Sequence, residues 1–134
     1  MMQISRNKSK YKGFKRFYYS TKYALDGLIY AYRHEHSLWL HGILSVIAII
    51  LGFVLKISLT QWSIILITLA VILAFELVNT AMEACVDMYT LEYNELARIA
   101  KDCCSGATFV MSITGAIISA VIFGPKLLVL LGLL

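Results

Sequence analysis

"FELVNTAMEACVD" (residues 75–87) closes an apolar run that begins near Trp62, so Glu76, Asn79, Glu83 and Asp87 fall in a segment suited to a lipid bilayer. At about 3.6 residues per helical turn, positions 76, 79 and 83 share one side and 87 continues the row toward water. With a rise of about 1.5 Å per residue, Glu83 stands roughly 10 Å from Glu76 along the axis, and Glu76 is the deeper group. A carboxylate at the centre of a span costs about 2.5–3.5 kcal/mol on insertion scales, so this stripe must face a protein interior or a wet cavity. Helix adhesion alone would need only one amide. The repeated acid points to function.

The surrounding sequence sets the membrane frame. Of 134 residues, 60% are hydrophobic, too many for an ordinary soluble domain of this size. Three runs, about Leu38–Leu55, Trp62–Val86 and Gly106–Phe123, are long enough to span a bilayer, which takes roughly 20 apolar residues in a helix. An all-α integral membrane protein with one domain over residues 1–134 is predicted. Arg6, Lys8, Lys10, Lys12, Lys15, Arg16, Lys22 and Arg33 precede the first run, and Arg98 and Lys101 lie in "MYTLEYNELARIAKD" (88–102). Only Lys56, in the tight turn "KISLTQ" (56–61), and Lys126 fall on the other side. This asymmetry predicts a cytoplasmic N-terminus and second connection, with the C-terminus outside. A cleavable signal peptide is not expected, because no apolar core follows the basic leader before Leu38. Cys85, Cys103 and Cys104 lack disulfide or zinc spacing and are expected to pack.

Before the first span, Phe14, Phe17, Tyr18, Leu25, Leu28, Ile29 and Tyr32 recur at helical spacing, with Lys15, Arg16, Lys22, Asp26 and Arg33 mostly on other faces. An amphipathic helix over about 10–35, lying on the inner leaflet, is predicted. Its cations face acidic headgroups or a nucleotide. His34 and His36, flanking Glu35, point to different sides of a helix, so "HEH" is not expected to bind zinc. Ser112, Ala116 and Ala120 follow a small-xxx-small rhythm that favours close helix packing, with Gly115 beside the row.

Two carboxylates and an amide oxygen suit Mg²⁺, which is held by few carboxylates while phosphate and water complete its shell. A deeper acid can take a proton from a hydroxyl. Phosphoryl transfer to a membrane alcohol follows as one reading, although neither GxxxxGK[ST] nor GxGxxG is present. On spacing alone, a proton or ion pathway stays equally open, and a non-enzymatic assembly role is the competing class.

"FELVNTAMEACVD", followed by "EYNELARIAKD" (92–102), resembles the signature of the small integral-membrane diacylglycerol kinase and undecaprenol kinase family of bacteria. "GLIYAYRHE" (27–35) is similar to the family's element at the end of the surface helix. The resemblance implies three transmembrane helices plus an amphipathic helix per protomer, a homotrimer in the bacterial cytoplasmic membrane, and ATP- and Mg²⁺-dependent phosphorylation of a lipid alcohol. No nucleic-acid partner is implied. Glu76 matches the family's general base, beside the lipid substrate. Glu83 and Glu35 match its metal-binding glutamates, and Asn79 the amide beside them. Arg16, Tyr23, Lys101 and Asp102 match positions lining the nucleotide site, and Asp87 and Glu92 its cytoplasmic rim. Where Gram-negative-type diacylglycerol kinases carry a second acid after the matched glutamate, "HSLWLH" (36–41) supplies His41. That pattern, and the tail "VIFGPKLLVLLGLL" (121–134), in which Pro125 and Lys126 end the third span, resemble Gram-positive-type members acting on undecaprenol. Undecaprenol is the expected acceptor, with diacylglycerol the alternative.

Overall fold

The computed structural model describes residues 12–133, so Arg6, Lys8, Lys10 and Leu134 lie outside the described residues. Four helices follow in order: α1 (Phe14–His34), α2 (His36–Val54), α3 (Leu59–Tyr89) and α4 (Glu95–Leu130). Helix α1 forms one compact unit, and the chain from Glu35 onward forms a second.

Helix α1 starts at Phe14, after Gly13 (φ 59°), whose carbonyl accepts the first turn's N–H groups from Arg16 and Phe17; residues 10 and 11 of the expected helix lie outside the described residues. A left-handed residue suits Gly and breaks the helical path. At its other end His34 stacks on Tyr30 with ring centres 4.2 Å apart, and its Nδ1 lies 2.8 Å from the Tyr30 carbonyl. Glu35 then turns to an extended conformation (φ −109°, ψ 115°), separating α1 from α2.

Helices α2, α3 and α4 are each long and apolar enough to cross a membrane. Helix α2 has 19 residues, or about 28 Å, close to the roughly 30 Å of a bilayer's hydrocarbon. Helix α3 has 31 residues, about 46 Å, and α4 has 36, about 54 Å. Since α2 and α3 meet at a short turn, the surplus length of α3 extends past the start of α2, and the beginning of α4 accompanies it.

That turn occupies only residues 55–58. Lys56 sits at φ 48° after the helix end, and the Ile57 N–H reaches back to the Gly52 carbonyl at 3.2 Å. Ser58 then caps α3: its Oγ accepts from Gln61 N–H while Gln61 Oε1 accepts from Ser58 N–H. Leu59–Gln61 are therefore helical, not part of the turn. Gly52 is required here, since a Cβ would stand 2.7 Å from the rigid Trp62 ring.

The second connection is also shorter than the sequence suggests. Asn94 Oδ1 accepts from Leu96 and Ala97 N–H groups, so α4 begins at Glu95 and includes most of the expected 88–102 connection. At the far end, Pro125 does not stop the helix. Proline forfeits one backbone hydrogen bond, which an apolar, packed helix tolerates, and α4 runs on to Leu130 before Gly132 (φ 69°) closes it.

Ala48, Ile57, Ile65, Ile122 and Phe123 form the buried core, with Trp62, Leu69, Ile118 and Leu127 around it. Helix α3 packs more extensively on α4 than on α2. The close approach of α3 and α4 falls at Gly115, where a Cβ would meet Ile72 Cδ1 at 2.6 Å, whereas Ala116 and Ala120 are exposed. The contact face follows Ser112 and Gly115 rather than the Ala116 and Ala120 continuation of the row. Cys85 and Cys103 are likewise exposed rather than packed, and Cys104 is partly buried.

Candidate functional site

Ser37 and His41 stand one turn apart on α2, and both face Glu76 of α3. The Ser37 hydroxyl donates to Glu76 Oε2 at 2.8 Å, and His41 Nε2 lies 3.1 Å from Glu76 Oε1. Glu76 is 5% exposed. Its own carbonyl accepts from the Thr80 hydroxyl, a bond confined to α3. From α4, Ser112 Oγ approaches His41 Nε2 at 3.4 Å while its hydroxyl donates to the Thr108 carbonyl at 2.9 Å. With that proton engaged, Ser112 presents a lone pair to His41, so Nε2 carries the ring proton toward both Glu76 and Ser112. This cluster lies opposite the first turn of α2, so Glu76 sits near one end of α2's apolar length rather than at its centre.

One turn beyond Glu76, Asn79 Nδ2 donates to Glu83 Oε1 at 3.0 Å. The Asn79 Oδ1 atom is buried without a hydrogen-bond partner. An unsatisfied buried acceptor costs about 1–3 kcal/mol, and beside a carboxylate it suits a hard, oxygen-seeking cation. Glu35 occupies the N-cap position of α2 yet makes no capping hydrogen bond, leaving its carboxylate uncommitted to the helix. Among the described residues no three His, Cys, Asp or Glu side chains gather as a metal cluster. A Mg²⁺ ion fits such a sparse donor set, because phosphate and water oxygens ordinarily supply the rest of its shell.

Farther out, Asp87 and Lys101 join α3 to α4 through a short ion pair. Arg98 binds Glu95 one turn before it and Asp102 one turn after it, each at 2.6 Å, and Tyr93 donates to Glu95. These (i, i+3) and (i, i+4) pairs help hold the polar first turns of α4 helical. Asp87, Glu92, Arg98 and Lys101 line a cleft of about 380 Å³ around the α3–α4 connection. Glu92 is exposed there, with its backbone N–H donating to Thr90 Oγ1.

The candidates therefore divide into groups. Glu76 is joined to α2, Asn79 to Glu83, Asp87 to Lys101, and Asp102 to Arg98. Arg16 and Tyr23 lie on α1, seven residues and so about two turns apart on one face, with Tyr23 packed near Tyr19 at 6.3 Å between rings. The stripe of residues 76, 79, 83 and 87 is thus not uniform: its deep member turns to α2 and its outer member to α4. Sequence reasoning missed Ser37, gave Ser112 only a packing role and gave His41 no structural role. The one available signal was the (i, i+4) spacing of two polar residues, Ser37 and His41, at the start of an apolar run.

A family profile described as prokaryotic diacylglycerol kinase matches residues 22–123. An undecaprenol kinase of Bacillus subtilis is 35% identical over 84% of this chain and 91% of its own length. A diacylglycerol kinase of Synechocystis is 32% identical over 84% of this chain and 65% of its length. One from Helicobacter pylori is 33% identical over 90% of this chain and 91% of its length.

Proposed function

The chain belongs to the prokaryotic diacylglycerol kinase family and is a membrane lipid kinase, and on that premise we propose that it phosphorylates undecaprenol with Mg·ATP at the Glu76–Glu83 face of α3. The observation that carries this reading is Glu76 itself: a nearly buried carboxylate in an apolar helix, held by two donors near the start of α2. That level suits an alcohol whose hydroxyl lies near the headgroups while its chain extends into the hydrocarbon.

Glu76 accepts the proton of the lipid hydroxyl as its oxygen bonds to the γ-phosphorus and the bond to the β–γ bridging oxygen breaks. ADP leaves with that electron pair, and the Glu76 proton returns to solvent. Glu83, Asn79 and Glu35 would hold Mg²⁺, which would offset phosphate charge. Asn79 Oδ1, otherwise unpartnered, supports this assignment. Lys101 counters the charge on the phosphates, while Asp87, Glu92 and Asp102 border the nucleotide. Helix α1 lies on the inner leaflet, the N-terminus and the α3–α4 connection are cytoplasmic, and three copies assemble. The large exposed apolar side chains on the spanning helices, Phe53, Ile67, Phe109 and Val121 among them, supply surface for lipid and for neighbouring copies.

Undecaprenol is preferred because a 35% identical relative over most of both chains bears that name. Diacylglycerol is the second reading, favoured by the names of the Synechocystis and Helicobacter relatives. Purified protein assayed with Mg·ATP against each alcohol in mixed micelles decides between them. A higher kcat/KM for undecaprenol is expected, and a higher value for diacylglycerol overturns the preference.

A further inference from the structure

We propose that His41 is a positioning residue for phosphoryl transfer, fixing the Glu76 carboxylate from α2 and α4 together. The proposal rests on the reading of Glu76 as general base. A base works when its lone pair points at the proton it takes, and a glutamate on three rotatable bonds does not hold such a direction unaided. Here each oxygen has its own donor: Ser37 on Oε2 at 2.8 Å and His41 on Oε1 at 3.1 Å. Each donor engages one lone pair and leaves another for substrate. The imidazole is itself directed, because Ser112 Oγ lies 3.4 Å from the same Nε2 and its hydroxyl is committed to the Thr108 carbonyl. One N–H thus reads the position of three helices.

A purely structural histidine would have different surroundings. The apolar core, around Ile57, Ile65, Ile122 and Phe123, gathers toward the α2–α3 turn, away from this cluster. His41 also keeps 16% of its side chain exposed, so it is not sealed into the apolar core of the chain. A side chain serving only as filler would be replaceable by leucine without altering turnover.

The test uses full-length purified protein and measures kcat, and KM for Mg·ATP, on the better lipid alcohol. His41→Leu should lower kcat about tenfold, the worth of one hydrogen bond to a charged group, with KM for Mg·ATP unchanged. His41→Gln, whose amide N–H can donate to Glu76, should recover kcat to within about threefold of wild type. Ser37→Ala should lower kcat about tenfold and supplies the test if the His41 variants do not fold. In a Glu76→Gln background, His41→Leu should change kcat by less than about twofold, because the group it positions is gone. Wild-type kcat in His41→Leu or Ser37→Ala, with Glu76→Gln impaired, overturns the inference and leaves the base reading standing. His41→Gln as slow as His41→Leu also overturns it. Full activity in Glu76→Gln overturns the base reading itself.

Discussion

Two sets of polar side chains lie along α3, one joined to α2 and the other to α4, and their surroundings differ more than their chemistry. Around Glu76, the Ser37 and His41 atoms that meet the carboxylate both come from α2, and the group is almost sealed from solvent. Around Lys101 and Arg98 the pairs are exposed, and most of them join neighbours on one helix. A buried carboxylate must be satisfied in one geometry, because an unpaired charge there is costly and slow to reorganise. Exposed ion pairs exchange partners at little cost, since water takes up whatever they release. The inner set suits a fixed proton acceptor, and the outer set suits cations that leave one anion to meet the phosphates of another.

The sharpest way to break that contrast is Glu76→Gln. An amide accepts no proton at neutral pH, so turnover should fall about 10²–10⁴-fold, the usual worth of a general base. Binding of Mg·ATP should persist, because Glu76 bonds to Ser37 and His41 and not to the Asn79–Glu83 pair. The fold should persist as well. Ser37 can still donate to the amide oxygen, while His41 can shift its proton to Nδ1 and accept from the amide nitrogen. Loss of Mg·ATP binding by calorimetry would exchange the roles assigned to the two glutamates.

Glu83→Gln should act on the other side of the contrast. Removing one anionic ligand beside Asn79 should weaken Mg²⁺-dependent nucleotide binding at least about tenfold, read as a higher Mg²⁺ requirement for turnover. Raised Mg²⁺ should restore much of the rate, which it should not do for Glu76→Gln. A loss of kcat that saturating Mg²⁺ leaves untouched would remove Glu83 from the metal site.

The sequence made these two roles distinguishable only in part. The apolar runs and the spacing of 76, 79, 83 and 87 are local properties, so the spanning helices and the stripe could be read directly. Glu76's partners could not, because Ser37 is 39 residues away and Ser112 is 71 residues from His41. Serine is also common in helices, where its hydroxyl ordinarily returns to its own backbone, as Ser45 and Ser63 do here. The early start of α4 was concealed for another reason. Residues 95–102 are polar and look like a loop by hydropathy, yet Asn94 caps them and Arg98 bridges both neighbouring turns. Pro125 misled in the opposite direction, since a residue that ends many soluble helices is retained within α4.

The smallest effect is expected where the contrast is softest, at Lys101. Its ammonium pairs with Asp87 across the α3–α4 connection and lines the cleft with Arg98 and Glu92, so it can neutralise phosphate but has no contact with Glu76. Lys101→Ala should raise KM for Mg·ATP several-fold, up to about tenfold, with KM for the lipid unchanged, because charge rather than shape is removed. Part of that rise comes from Asp87, which is left unpaired beside an anionic nucleotide. Asp87→Asn in the same chain should therefore lower KM again without restoring it fully. Salt offers an independent check: an exposed cation attracting phosphate is screened over about 10 Å at 0.1 M, so the wild-type KM should rise with ionic strength more steeply than that of Lys101→Ala. A Lys101→Ala enzyme with wild-type KM for Mg·ATP and a raised KM for the lipid would place this cation with the alcohol. The outer cluster would then belong to the same substrate as the inner one, and the division of labour between them would fail.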